Sequence, residues 1–164
     1  MRKSFEKFLI TIIRLLMGWI FLWKFLDKLF GFGYDTPKGE AWMDGVSPTK
    51  DFLMYDTQAS PFSEVLEVMA TQPWVDWLFM IGLAGIGSAL ILGIMIRLAG
   101  VAGAFMSLFI FLAIIPPVTN PIVTYHVVYI FIFLLLAAVP SGEWFGLGKW
   151  WGKTWLIKGF PFLK

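Results

Sequence analysis

The stretch Trp74-Val-Asp-Trp-Leu-Phe-Met-Ile-Gly-Leu-Ala-Gly-Ile-Gly-Ser-Ala-Leu-Ile-Leu-Gly-Ile-Met-Ile96 runs through Arg97 into Leu98-Ala-Gly-Val-Ala-Gly-Ala-Phe-Met-Ser-Leu-Phe-Ile-Phe-Leu-Ala-Ile-Ile115. Two apolar blocks joined by a single cation decide the fold class. About 20 helical residues cross the hydrocarbon core of a bilayer, and each block is of that order. Outward from this pair, two further blocks of the same kind lie at about 8–30 and 122–139. Transmembrane barrel strands would instead show segments of about 10 residues with alternating polarity, and none is present. In lipid the backbone must satisfy its own hydrogen bonds, so the blocks are helices. The expectation is an all-α integral membrane four-helix bundle, one domain over residues 1–164, with helices at about 8–30, 74–96, 98–115 and 122–139.

Composition agrees with the hydropathy. Hydrophobic residues make up 59% of the 164 and charged residues only 15%, with a mean hydropathy of +0.77. A soluble domain carries about 25% charged residues, and a disordered chain is more polar still. The chain has no Cys and one His. That excludes disulfides, thiolate metal sites, iron–sulfur ligation and a bis-histidine haem. No metal, haem or nucleotide cofactor is expected. A net charge of +2 gives no reason to expect nucleic acid.

The connections are short except for Tyr34 to Pro73, which is polar and rich in Gly, Pro and Asp. Within it, Ser60-Pro61 reads as an N-cap followed by a first-turn proline. Phe62, Val65, Leu66 and Met69 then fall at helical spacing. They predict a short amphipathic helix on the membrane surface or capping the bundle. The prolines of Pro116-Pro117-Val118-Thr119-Asn120-Pro121 separate the third and fourth helices.

Charge sets the expected orientation. Arg2, Lys3 and Lys7 precede the first helix, and Arg97 joins the second to the third. Lys149, Lys153, Lys158 and Lys164 follow the fourth. Four spans put all of them on one side, opposite the acidic long connection. The positive-inside rule then places both termini in the cytoplasm and the long loop outside. Trp74, Trp77, Trp144, Trp150 and Trp151 lie near the expected span ends, as in an interfacial aromatic belt. The first block is too long and too charged for a cleaved signal peptide and lacks a small-x-small site, so it is expected to remain as a span. Gly85, Ala89 and Gly93, and Ala99, Gly103 and Ser107, repeat at four-residue spacing. Such stripes allow close helix approach and predict a compact hairpin.

Ionisable residues inside a span are costly and are candidates for function. The first helix carries Arg14, Lys24, Asp27 and Lys28. At 100° per residue the three cations share an arc of about 80°. Asp27, one turn from Lys24, is placed to neutralise it. Snorkelling of the lysines to the interface is the plainer alternative. His126 enters the fourth helix one turn from its outer end, with Tyr129 on its face and Asn120 nearby. Asp76 opens the second helix at that level. A His, a Lys and a carboxylate gathered at the outer end would form a proton-handling site, with His126, Lys24 and Asp27 as candidate catalytic groups. An interhelical hydrogen bond is the alternative for the histidine. Lys24, Lys28, Asn120, Tyr129, Trp23 and Asp76 are the candidate substrate-binding residues. Arg14 and Arg97 are candidates for binding an anion or lipid phosphate on the inner side.

Several segments, read in order, carry a resemblance. They are Arg14-Leu-Leu-Met-Gly18, Phe21-Leu-Trp23-Lys-Phe-Leu-Asp27-Lys28, Gly45-Val-Ser47-Pro48-Thr49-Lys50, Asp76-Trp77, Leu92-Gly93-Ile-Met-Ile-Arg97, Asn120-Pro121, His126-Val-Val-Tyr129 and Gly146-Leu147-Gly148-Lys149-Trp150-Trp151. Together they resemble the DoxX/DoxD membrane proteins, most closely the small, DoxD-like subunit of thiosulfate:quinone oxidoreductase. The pattern departs at Thr124 and Tyr125, where relatives often carry an acidic residue before the histidine. The resemblance implies a four-helix membrane bundle and, for some members, oxidation of thiosulfate to tetrathionate with electrons passed to quinone. It implies quinone as co-substrate and a DoxA-like second subunit. Membrane lipids are expected partners, and a homo-oligomer stays open. The residues alone equally allow a non-enzymatic scaffold, a lipid- or quinone-binding protein, or a small transporter.

Overall fold

The computed structural model describes residues 2–117, 120 and 123–159, without the side chains of Leu156 and Lys158. Val118, Thr119, Pro121, Ile122 and Lys164, which enter the sequence reading, lie outside the described residues. All regular structure among those described is helical. The long helices are α1 (Arg2–Phe30), α3 (Pro73–Leu92), α4 (Ile96–Ala113) and α5 (Tyr125–Ala138). A short helix, α2 (Ser63–Ala70), lies in the long connection, which also holds a 3-10 turn at Trp42–Asp44 and a π-helical turn at Phe52–Asp56. Three short helices follow α5: α6 (Ser141–Trp144), α7 (Gly148–Trp151) and α8 (Trp155–Gly159).

Arg2–Phe30, Pro73–Leu92 and Ile96–Ala113 are long and apolar enough to cross a membrane, and Tyr125–Ala138 is a shorter apolar helix. This is the expected helical membrane bundle. Its outer surface is apolar: Leu16, Leu78, Ile81, Phe105 and Phe131 are all exposed. In water such a surface would be an aggregation hazard, and in lipid it is the ordinary outside. The fourth helix has 14 residues where about 18 were expected. It reaches about 21 Å at 1.5 Å per residue.

Helix ends follow local chemistry. Gly31 leaves α1 at φ +66°, with its N–H donating to Asp27 O at 2.8 Å. A β-carbon there would lie 3.1 Å from Pro37 O, so both conformation and space call for glycine. Pro73 opens α3 at a position that needs no N–H donor. Gly93 closes α3 at φ +76°, and Met95 turns the chain into α4 at φ +50°.

The helices pack in the order α1, α3, α4, α5, and the α4–α5 and α1–α3 seams are the most extensive. The core runs along them: Met17 and Phe21 from α1, Met80, Leu83, Ile86 and Leu90 from α3, Ala99 and Ala104 from α4, Phe133 and Leu136 from α5. Phe21 meets Phe133 edge to face at 5.0 Å and ties α1 to α5. A second, smaller core of Leu53, Leu66, Ala70, Val75 and Ala113 docks the long connection on α3 and α4.

Three local expectations are corrected. Gly85 faces open space, and the close approach of α1 and α3 is made by Gly18 and Gly87. A β-carbon on Gly87 would lie 2.6 Å from Leu22 N. The small residues of α4 serve α5 rather than an α3–α4 hairpin: Gly100 and Gly103 lie against Phe133 and Ala137. In the connection, α2 starts at Ser63 after Phe62, because the Ser60 hydroxyl accepts the Phe62 N–H at 3.2 Å and donates to Leu112 O at 3.3 Å. Leu66 is buried there while Phe62 and Val65 stay exposed.

Candidate functional site

The bundle has two polar ends. At the end carrying the long connection, here the loop end, Asp27 is 1% exposed although it sits on a largely apolar helix. Its carboxylate accepts three backbone N–H groups: Tyr34 at 3.4 Å, Asp35 at 2.9 Å and Thr36 at 2.9 Å. Amide donors compensate a buried carboxylate, so Asp27 pins the segment that leaves α1. Lys24 does not depend on Asp27 alone, because its ammonium pairs with Asp35. Lys28 is half-buried, with Asp27 and Asp51 acting on it electrostatically. Arg14, Lys24 and Lys28 therefore differ in burial although the helical wheel gives them one arc: buried, exposed and half-buried in that order.

Asp76 is likewise engaged. Its Oδ1 accepts the hydroxyls of Ser47 at 2.7 Å and Thr49 at 2.6 Å. Trp42 packs edge to face on Trp77 at 4.6 Å beside it. The Ser47-Pro48-Thr49 stretch and Asp76-Trp77, far apart in sequence, thus meet as one clamp that holds the connection on α3. Trp23 is the centre of an aromatic group, 5.7 Å from Trp19, 5.7 Å from Phe32 and 5.3 Å from Tyr34.

His126 is 8% exposed, and its Nδ1 has no hydrogen-bond partner among the described residues. Tyr125 lies against its ring at 4.0 Å, and Tyr129 follows one turn on, half-buried at the edge of the core. Asn120 is exposed, and its Oδ1 accepts the Val123 N–H at 3.1 Å on the approach to α5. Lys28 stands seven residues beyond Phe21 and His126 seven residues before Phe133, about 10 Å toward the loop end in each case. The Phe21–Phe133 contact thus fixes the two at one depth. No described hydrogen bond or ion pair joins His126 to Lys24 or Lys28. The loop end brings Lys24, Asp27, Asp35 and Lys28 together, and His126 groups with Tyr125 and Tyr129 on α5.

At the opposite end Arg14 is 1% exposed. Its Nη1 donates to Ser141 O at 3.1 Å and its Nη2 to Phe145 O at 2.5 Å, while Nε is buried without a partner among the described residues. Arg14 is thus a clamp on α6 rather than a group open to an anion. Lys7 lies over the Trp144 ring at 5.4 Å and adds a second tie. Arg97 is exposed and, with Glu143, lines a cleft of about 300 Å3 walled by Gly93, Gly142 and Gly148.

Sequence reasoning missed Asp35 as the partner of Lys24, and it saw Ser107 only as a small packing residue. The Ser107 hydroxyl is buried without a partner among the described residues. Only its place inside an apolar block could have signalled that. Among the described residues, no group of three or more His, Cys, Asp or Glu is placed to hold a metal ion.

No curated protein and no solved structure matches the chain. Residues 8–137 match the model of the DoxD family, described as the small subunit DoxD of TQO, thiosulfate:quinone oxidoreductase. That span takes in α3 and α4 whole, all of α1 and α5 but the start of the one and the end of the other, the Asp27 cap, the Ser47–Thr49–Asp76 clamp and His126. The chain therefore belongs to the DoxD family.

Proposed function

We propose that this chain, a single domain, is the membrane subunit of a quinone-linked oxidoreductase that takes electrons from thiosulfate. The observation that carries the reading is the family match over residues 8–137. Two thiosulfate ions joined as tetrathionate release two electrons, and quinone takes up two electrons and two protons. Thiosulfate is a dianion, and Lys24 and Lys28 are the loop-end cations that would receive it, Lys24 by exchanging its Asp35 partner for the substrate. Asp27 and Asp76 act as positioning groups, because their oxygens are engaged in holding the connection over the bundle. His126 offers a buried nitrogen without a partner among the described residues and Tyr129, one turn on, supplies aromatic surface, the two features that a quinone carbonyl and ring call for. His126 would hold and pass the proton, with Asn120 at the mouth of the same helix. A partner subunit of the DoxA kind is part of the proposal, as is a topology with both termini in the cytoplasm and the long connection outside.

The test is thiosulfate-dependent reduction of decylubiquinone by the purified chain in lipid nanodiscs, with and without proteins that co-purify. Lys28→Met and His126→Phe are expected to lower the rate at least about tenfold, equivalent to about 1.4 kcal/mol of barrier, with helicity unchanged. A wild type that stays inactive with every co-purifying protein restored overturns the reading in favour of a non-enzymatic membrane role.

A further inference from the structure

At the loop-end half of the bundle, Ser107 Oγ on α4 and Thr124 Oγ1 and His126 Nδ1 at the start of α5 are buried side-chain atoms with no hydrogen-bond partner among the described residues; Thr36 Oγ1 is another, in the segment that Asp27 holds. Ser107, Thr124 and His126 are 1%, 7% and 8% exposed. Leaving such atoms unpaired in an apolar interior costs about 1–3 kcal/mol each, so an unexplained cluster of them points to something they bind. Ser107 departs from the habit of this chain. Thr11 donates to Lys7 O at 2.8 Å and Ser88 to Ala84 O at 2.5 Å, each back onto its own helix. Ser107 makes no such bond. Thr124 stands at the N-cap of α5 and makes no side-chain cap bond either.

The register brings Ser107 and His126 to the same seam. A β-carbon on Gly100 would lie 2.7 Å from Phe133 O and 2.9 Å from Ala137 N, which fixes how α4 and α5 run past each other. Ser107 is two turns along from Gly100, and His126 is two turns back from Phe133, so each keeps the facing side of its helix. Counted from that contact, the two Cα atoms are offset by about 3 Å along the helix axes. Side chains tilt toward the N-terminus of their own helix, so on antiparallel helices these two lean apart. Two hydrogen bonds in series span about 5–6 Å, so a single oxygen atom can join groups that lean apart in this way. Neither helix adds charge here: Arg97, at the far end, is the only charged residue of α4, and α5 carries none besides the histidine.

We infer that Ser107 and His126 together bind a neutral oxygen at the α4–α5 seam, either a water molecule or the carbonyl of an apolar ligand, with Thr124 at the approach from the loop end. The hydroxyl donates or accepts, and the imidazole does either according to its tautomer. The water case stands apart from the oxidoreductase reading, whereas the carbonyl case rests on it.

The single histidine makes the test direct. Full-length protein labelled with 15N-histidine, in nanodiscs freed of quinone, gives one pair of ring resonances. The wild type is expected to show a hydrogen-bonded Nδ1, and Ser107→Ala to shift that resonance. Ser107→Cys replaces the hydroxyl by a somewhat larger thiol that is a weaker donor, and is expected to shift it in the same direction, which covers any failure of the alanine variant to fold. An Nδ1 resonance of an unbonded nitrogen, or one that ignores both substitutions, overturns the site. Titration with decylubiquinone separates the sources. A saturable shift lost in Ser107→Ala assigns the oxygen to a carbonyl, and a wild-type spectrum that ignores quinone assigns it to water. A wild type inactive in quinone reduction that keeps the Ser107-dependent resonance retires the oxidoreductase reading and keeps the site. An active wild type with a Ser107-insensitive resonance does the reverse.

Discussion

Asp27 and Arg14 are buried in the same helix and hold opposite ends of the molecule through backbone groups. Asp27→Asn leaves the side chain one acceptor oxygen in place of two. Hydrogen bonds to a charged group contribute about 1.5–3 kcal/mol, so the substitution is expected to lower stability by about 2 kcal/mol. The amides of Asp35 and Thr36 should exchange faster with deuterium, while those in the middle of α3 keep their protection. An unchanged exchange rate at these two amides would contradict the assigned role. Arg14→Met is expected to cost about 3 kcal/mol by leaving two carbonyls unpaired, read as a lower midpoint of thermal unfolding in detergent. The charge of both residues was legible in the sequence as an anomaly within a span. Their partners were not. Ser141 lies 127 residues from Arg14, and the acceptors there are carbonyls, which every residue possesses. Asp27 was read against Lys24 because the two are one turn apart, yet amides of the departing chain claim its oxygens.

At the scale of the element, periodicity located the spans and misassigned their seams. Gly85 and Gly87 look alike in sequence, and the four-residue stripe favoured Gly85. Only the approach of α1 distinguishes them, since Leu22 backbone sits on Gly87. Gly87→Ala is therefore expected to destabilise by about 1–3 kcal/mol through overpacking. Gly85→Ala, in open space, should be neutral or stabilise by up to about 1 kcal/mol of helix propensity. Equal unfolding midpoints for the two variants would refute the assignment of the seam. In α2, Leu66 and Ala70 pack inward while Val65 and Val68 remain exposed. The apolar spacing there announced a helix without saying which of its faces would meet α3.

For the molecule as a whole, hydropathy and family pattern reached the architecture, and the residues chosen for the site proved to be distributed around Phe21 and Phe133. Single positions cannot reveal such a distribution, because depth depends on how helices far apart in sequence are registered. Orientation in the bilayer is open to a clean test, since the chain contains no native cysteine. Asp44→Cys in the long connection is expected to react with a membrane-impermeant maleimide on intact cells, and Lys3→Cys only after lysis. The reverse pattern would invert the proposed topology. The clamp on Arg14 also bears on how the protein is made. Helix α1 leaves the ribosome long before residues 141–145 exist, so during insertion the guanidinium faces the translocon or phospholipid headgroups without its final acceptors. Pairing with those acceptors waits on synthesis of residues 141–145. A product truncated before residue 141 would keep that cation in α1 without these two acceptors, and is expected to persist in the membrane for less time than the full chain.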